Sequence, residues 1–434
     1  MSPLVRGPKT HVPPDTRALR AVVASTVGTA IEWYDFFLYG VAAAIVFPKV
    51  FFPTSDPASA TLASFGTYFV GFVARPVGAA IFGHFGDRLG RKASLVATLL
   101  LMGVATVAIG LVPTGIGVWG AVLLTLCRIL QGIGVGGEWA GSVLVAAEWG
   151  PAHRRGLFAS WPQFGAPAGL LLANGAMLAA SRWTGDAFLE WGWRLPFLAS
   201  VVLVGIGLWI RRGVEETPAF TRLTAERRVE RAPVAVALSK HWKAIALTGL
   251  LRTGQQTPFY VFTAFVLSYA TQHLGLARSD VLVYVLLGAT VSLVTIPLSG
   301  HLADRYGALR VVVAGAVLMV VFPFVYFLAL DTAAHGWVLL AILVAAPIHD
   351  LQYAPQAAVI ADAFPPEVRY SGASLGYQLA SLTAGGPAPI VALWLLESTG
   401  ASWSIAAYLS FTAIVTLLAA AGLARHGDAA ARQA

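Results

Sequence analysis

The 434-residue sequence is short of charge and almost free of cysteine: 12% of its residues are Asp, Glu, Lys or Arg, and Cys127 is its single cysteine. Soluble domains carry about 25% charged residues. A chain of this length would need two or three such charged exteriors, so the scarcity excludes a soluble enzyme. One cysteine excludes an internal disulfide framework. Disordered chains are polar and poor in aromatics, whereas this one is 57% hydrophobic and 11% aromatic. What the chain has in quantity is apolar length.

Apolar stretches of roughly 20 residues, enough to cross a bilayer core about 30 Å thick, recur twelve times. In the first half they lie near 20–47, 59–83, 93–112, 117–147, 158–180 and 195–211. In the second half they lie near 243–271, 280–301, 310–330, 336–363, 372–396 and 402–424. The connections are short except for a polar segment containing Val-Glu-Glu-Thr-Pro (214–218) and Ala-Glu-Arg-Arg-Val-Glu-Arg (225–231). The expected organisation is a tail at 1–20, a six-helix bundle at 21–212, a central loop at 213–242, a second bundle at 243–424 and a tail at 425–434. The fold class is all-α, a membrane protein of twelve transmembrane helices in two pseudo-symmetric six-helix bundles.

The basic residues orient these spans. With the N-terminus in the cytoplasm, 22 of the 29 Lys and Arg residues fall on the cytoplasmic side. Four (Lys49, Arg182, Arg194 and Arg278) fall outside, and Arg75, Arg128 and Arg252 lie within spans. That asymmetry is the positive-inside pattern, and reversing the orientation destroys it. The net charge of +8 is therefore a topology signal, and nucleic acid is not an expected partner. The lipid bilayer is, with both termini cytoplasmic in a cell inner (plasma) membrane.

An internal repeat reinforces the halving. Gly-His-Phe-Gly-Asp-Arg-Leu-Gly begins at Gly83 and Gly-His-Leu-Ala-Asp-Arg-Tyr-Gly at Gly300, 217 residues later, half the chain length. A weaker echo sets Glu148 seven residues before Arg155 and Asp362 seven before Arg369. A positive anchor at the membrane face would need Arg and Lys but neither a fixed Asp nor glycines. Two copies in equivalent places point to duplicated bundles, an architecture used for alternating access.

Polar residues inside spans are the functional candidates, because a buried Arg costs at least ~2.5–3.5 kcal/mol at the bilayer centre. Arg128, Gln131 and Glu138 share one helical face. The glycines between them (132, 134 and 137) match G-x-G-x-x-G, but no strand precedes them, so the match is not a dinucleotide site. Glu32 and Asp35, three apart in the first span, are either fixed salt-bridge partners or proton sites. Arg75 could meet an anion or serve the kink at Pro76; Arg252 could meet an anion, with Gln255, Gln256 and Tyr260 along its stripe, or snorkel. His349 and Asp350 suggest a buried pair or a proton relay, and two ligands do not make a metal site. Asp350 and Tyr353 join the candidates, as do Trp161 with Gln163 and Tyr377 with Gln378, where an aromatic begins a polar face. Trp139 is assigned to packing.

The loop at 83–92 and the Arg-Ile-Leu-Gln-Gly run at 128–132 resemble signatures of the major facilitator superfamily. Glu-Trp-Tyr-Asp-Phe-Phe-Leu-Tyr-Gly (32–40) and Phe-Val-Ala-Arg-Pro-Val-Gly-Ala (72–79) narrow the resemblance to its metabolite:proton symporters. So do the segments at 136–141, 190–197 and 369–378. That branch imports carboxylic acids and zwitterions such as shikimate, 2-oxoglutarate, proline and betaine. The resemblance implies a cytoplasmic gate of Asp87, Arg88, Arg91, Glu148 and Arg155, answered by Asp304, Arg305, Asp362 and Arg369. It also implies proton coupling at Asp35 with Arg128 as its basic neighbour, flanked by Glu32 and Glu138. The implied function is a proton-coupled symporter for a small organic acid or zwitterion, with proton-driven export as the alternative. No enzyme activity, metal or cofactor is expected beyond the coupling proton, and a monomer suffices. Two departures fall near the presumed cavity. Tyr-Ala-Pro-Gln (353–356), preceded by His349 and Asp350, stands where the branch reads close to Tyr-Gly-Pro-Gln. Gln255 and Gln256 stand where relatives carry an acid and a small polar residue.

Overall fold

A computed structural model of the chain describes residues 14–52 and 56–433. Most of the expected N-terminal tail (1–13) and the side chains of 427–433 lie outside the described residues. The first bundle is built from α1 (Pro14–Ile45), α2 (Pro57–Arg88), α3 (Arg91–Leu111), α4 (Val118–Trp149), α5 (Ala152–Phe188) and α6 (Arg194–Arg212). Two short helices, Pro218–Ala225 and Pro233–Lys240, lie in the central loop. In the second bundle, α7 runs from Trp242–Tyr260 through a π-helical turn at Val261–Phe265 into Val266–Gln272. It is followed by α8 (Arg278–Tyr306), α9 (Ala308–Leu330), α10 (His335–Asp362), α11 (Pro366–Thr399) and α12 (Trp403–Gln433).

Among the described residues, ten helices are long and apolar enough to cross a membrane on composition alone. The two that are not, α1 and α7, hold the polar candidates: Glu32 and Asp35 in one, Arg252, Gln255 and Gln256 in the other. Their polar groups are buried against neighbouring helices instead of lipid, where backbone and side-chain polar atoms find partners that hydrocarbon lacks. The outer surface is apolar, with Leu62, Val104, Trp209, Leu328 and Leu418 all exposed.

Helices approach closely where the sequence is small. A Cβ on Gly78 or Gly136 would overlap the carbonyls of Ile133 and Arg75, so α2 and α4 meet backbone to backbone, the packing small residues allow in membranes. The sharp reversals between α2 and α3 and between α8 and α9 turn on Gly90 (φ 108°) and Gly307 (φ 92°), a region that side-chain-bearing residues avoid. Two π-turns interrupt the second bundle, Val261–Phe265 just after Pro258 and Ser381–Gly385 just before Pro387. Proline's missing N–H disturbs the helical ladder at both places. The face carrying the central loop and both repeat loops is the basic face of the molecule. Across the halves, α2 packs on α11 and α5 on α8.

Candidate functional site

At the basic face the repeat acquires a structural meaning. Asp87 ends α2 and aims its carboxylate at the start of the helix Arg369–Ala380 in the other bundle. It accepts hydrogen bonds from the Tyr370 and Ser371 amides at 3.1 and 2.9 Å and from the Ser371 hydroxyl at 2.8 Å. Asp304 does the reciprocal thing, accepting from the Gly156 and Leu157 amides at 2.6 and 3.1 Å at the start of Arg155–Ser160. Each carboxylate satisfies free N–H groups at a helix N-terminus, where the macrodipole favours negative charge. Gly83 and Gly300 make room: a Cβ there would press on Ser371 and Ser160 of the opposite bundle. Ion pairs complete this clamp. Arg155 meets Asp362 at 2.7 Å and Arg369 meets Glu148 at 3.5 Å, both across the halves. Arg91 holds Asp87 at 3.3 Å and donates to the Pro366 carbonyl at 3.1 Å.

Above the clamp, three arginines are buried in the membrane interior. Arg252 donates to the Tyr377 carbonyl at 2.8 Å and the Ser381 hydroxyl at 2.9 Å, with its guanidinium 3.1 Å from the Tyr377 ring centroid. Tyr377 in turn stacks on Trp139 of the other bundle at 3.7 Å. Arg75 lies over Phe36 and Phe72 at 4.5 and 4.4 Å, close to Tyr260. Neither arginine forms an ion pair among the described residues. Among the described residues, Arg75 Nε and Nη2, Arg252 Nε, Gln256 Nε2 and the hydroxyls of Tyr260, Tyr353 and Tyr377 have no hydrogen-bond partner. Buried polar groups are normally paired, so these unmade donors mark a chemically incomplete part of the protein. Gln163, Gln378 and Tyr370 bridge the bundles around it. Gln163 accepts from Trp139 at 2.7 Å and donates to the Tyr353 carbonyl at 2.9 Å, and Tyr370 donates to the Gly137 carbonyl at 2.7 Å. Gln378 donates to the Val135 and Gly136 carbonyls at 3.4 Å.

The acids of α1 are also buried, but their partners differ from the expected ones. Asp35 takes a hydrogen bond from Ser200 of α6 at 2.9 Å, and its Oδ2 has none. Glu32 likewise keeps one oxygen unbonded. Arg128 does not meet Asp35. It donates to Gln131 at 3.0 Å and sits among the rings of Phe36, Tyr39 and Tyr68, each within 4.7 Å.

The sequence comparisons agree with this architecture. Residues 20–244 match the model for sugar (and other) transporters, and residues 257–433 match that of the major facilitator superfamily. The chain is 41% identical to the inner membrane metabolite transport protein YhjE of Escherichia coli over 409 residues, covering 92% of each chain. It is also 41% identical to the shikimate transporter of that organism, covering 93% and 94%. The chain belongs to the major facilitator superfamily. Within it, the proline/betaine transporter of E. coli is 32% identical, covering 93% of this chain and 83% of that one. Among solved structures, the proton:xylose symporter XylE bound to 6-bromo-6-deoxy-D-glucose superposes with a TM-score of 0.79 at 18% identity, covering 95% and 96%. An inward-open XylE superposes less well, at 0.65. The protein is a multi-pass secondary transporter and not an enzyme.

For this facilitator, several expectations need correction. Arg88 and Arg305 take no part in the clamp: both are exposed, one beside His84 and the other over Tyr306, as positive anchors at the membrane face. Glu138 is not near Arg128's guanidinium. It forms a buried ion pair with Arg211 and accepts from Thr98 at 2.5 Å and Ser142 at 3.1 Å. Arg211, at the end of α6, is 3% exposed although its place in the sequence is the cytoplasmic end of the sixth span. Trp161 meets Phe164 at a tilt with ring centroids 5.8 Å apart, while Trp139, assigned to packing, supports Tyr377. Ser200 and Glu216 carry no sequence signal of their own. Glu216 in the central loop accepts from the Arg91 and Lys92 amides at 3.1 and 3.2 Å, bracing the start of α3.

Proposed function

We propose that this protein imports a small carboxylate or zwitterionic metabolite together with a proton, by rocking residues 1–212 against 243–434. The observation that carries the reading is the ring of unpaired donors around Arg75 and Arg252. A carboxylate placed there completes the bonds that both guanidinium forks leave open. The tyrosine hydroxyls and Gln256 offer the remaining contacts to a small polar body. The names of the relatives, a shikimate and a proline/betaine transporter, support a substrate with a carboxylate.

In this reading the basic face is cytoplasmic and the clamp is a closed inner gate, so the conformation is one reached from outside. Asp35, beside the Ser200 and Thr106 hydroxyls and with no cation paired to it among the described residues, is the coupling acid. A proton on Oδ2 supplies the charge balance this site lacks, and its loss would draw a cation such as Arg128 across. The test is a thermal-shift panel of mono-, di- and tricarboxylates, aromatic acids and betaines on purified protein, followed by uptake of the stabilising compound into proteoliposomes. Stabilisation by acids or zwitterions, lost in Arg75→Gln, supports the site. Uptake that no longer follows a pH gradient in Asp35→Asn supports the coupling role. Stabilisation only by hydrophobic cations would overturn the substrate reading.

A further inference from the structure

Beyond the central arginines the second bundle holds a titratable group that the anion site leaves unused. A cavity of about 70 Å³ opens between α5, α7, α8 and α10, walled by Phe37, Phe259, Phe262, Ile296 and Ile342. His349 and Asp350 lie along it, 7% and 0% exposed. His349 Nδ1 and Asp350 are 2.9 Å apart, and the other carboxylate oxygen accepts from the Thr295 hydroxyl. On its far side, His349 Nε2 is 2.6 Å from the Gln255 amide nitrogen, whose carbonyl oxygen accepts from Gln356 at 3.1 Å. The donors of this chain all run one way, from Gln356 through Gln255 and His349 to Asp350. That direction requires the neutral imidazole with its hydrogen on Nδ1.

We propose that the His349–Asp350 pair is a proton-binding site of the second bundle, separate from Asp35, and that Gln255 relays its protonation to the central site. The first argument is charge. With His349 neutral the pair carries a buried negative charge, and among the described residues no Lys or Arg pairs with Asp350. The groups facing it from α5, α8 and α1 are Ala166, Pro167, Ser292, Thr295 and Phe37, none of them ionisable near neutrality. From α10 itself comes Tyr353, its ring 5.3 Å from His349. Arg252 of α7 is turned to Tyr377, and on α9 Tyr326 packs on Phe262 while Arg310 lies in the first turn at the basic face. A proton is thus the counter-charge available to this buried acid pair.

The second argument is geometry. An imidazolium donates from both nitrogens, so Nε2 can no longer face an amide NH₂. Turning the Gln255 amide over presents its oxygen to His349 and its NH₂ to Gln356, and the Gln356 amide turns with it to accept through its oxygen, reversing the chain. Gln255 sits one turn beyond Arg252 and beside Gln256, so the reversal occurs within the anion site's own helix segment.

Proton binding here is independent of the proposed transport function; only its effect on substrate rests on that reading. The experiment is a pH titration of the full-length, ¹⁵N-histidine-labelled protein in lipid nanodiscs, with the His349 signal assigned by its loss in His349→Gln. The expected result is conversion of the neutral Nδ1–H form to the imidazolium as the pH is lowered. Asp350→Asn removes the anion that favours the imidazolium, so it moves this transition to lower pH by about tenfold or more in proton concentration. With ¹⁵N-glutamine labelling, a side-chain amide signal absent from Gln255→Leu moves in step with His349. If His349→Gln does not fold, His349→Asn serves for assignment. A His349 signal that stays neutral throughout, or a midpoint indifferent to Asp350→Asn, overturns the proton site; a Gln255 signal that does not follow overturns the relay. Gradient-independent uptake with His349 titrating would defeat the coupling reading alone, and gradient-driven uptake with His349 neutral would defeat this site alone.

Discussion

Three arginines share the membrane interior on equal terms of burial and unequal terms of bonding. Arg128 is enclosed by three aromatic rings and Gln131 and leaves Nη2 open, whereas Arg75 leaves Nε and Nη2 open and Arg252 leaves Nε open beside unpartnered tyrosine hydroxyls, among the described residues. The difference predicts different phenotypes. Arg252→Lys replaces a planar fork with a point charge and should weaken carboxylate binding by about tenfold or more while the protein still folds, measurable by ligand-induced thermal shift. Glu138→Gln acts on stability instead: it strands Arg211 as an uncompensated buried cation, a loss of about 3–5 kcal/mol. A fall in melting temperature, largely restored by adding Arg211→Met, would show this; unchanged stability would contradict the buried pair. Residue identity was partly legible beforehand. Intramembrane Arg, Asp and Glu are rare enough to announce themselves, so Arg75, Arg252, Glu32 and Asp35 stood out. Their partners did not. Glu138 finds Arg211 rather than Arg128 because α6, packed on α3 and α1, brings the Arg211 side chain within reach of α4, and that proximity has no trace in either residue's neighbours along the chain.

At the scale of helices, hydropathy delimits ten of the crossings, and even the two polar ones keep a period and length that mark them as spans. The contacts between helices depend on which glycines face which backbone, and spacing alone does not say. Gly136 and Gly175 look alike in sequence. A Cβ on Gly136 would strike α2 at the Arg75 carbonyl, while one on Gly175 meets nothing within 4 Å. Gly136→Ala should therefore cost about 1–3 kcal/mol or more by overpacking and shift Arg75, so stability and ligand binding fall together. Gly175→Ala should be neutral or slightly stabilising in the same thermal assay. The π-turns of α7 and α11 escape sequence reading altogether, although each lies beside a proline. They follow directly on Tyr260 and lie within a turn of Tyr377, so the residues lining the anion site sit where the helical ladder is already loosened.

For the whole molecule, the repeat at Gly83 and Gly300 was readable as a duplication, and the equivalent position of the two loops followed from it. What the aspartates bind was not readable, because the target is a pair of backbone amides, which every residue has. The structure supplies the target: each aspartate seals a helix end belonging to the other half. Replacing Asp87 and Asp304 together with Asn weakens both seals and should shift the population toward the state open at the basic face. In a Cys127→Ser background, Ser374→Cys, buried on α11, should then label several-fold faster with a polar thiol reagent. Equal labelling with and without the two Asn substitutions would mean that the ion pairs alone keep this face shut.

Each half thus brings one plug and one socket, and both are the same pair of parts. The latch is self-complementary: two identical halves related by a two-fold axis would close it twice over, with no new surface needed. An ancestral chain of half the present length could have gated itself as a dimer with the contacts now seen within one polypeptide. Fusion would then have freed the two interiors to diverge, one keeping its acids at 32 and 35, the other acquiring His349 and Asp350.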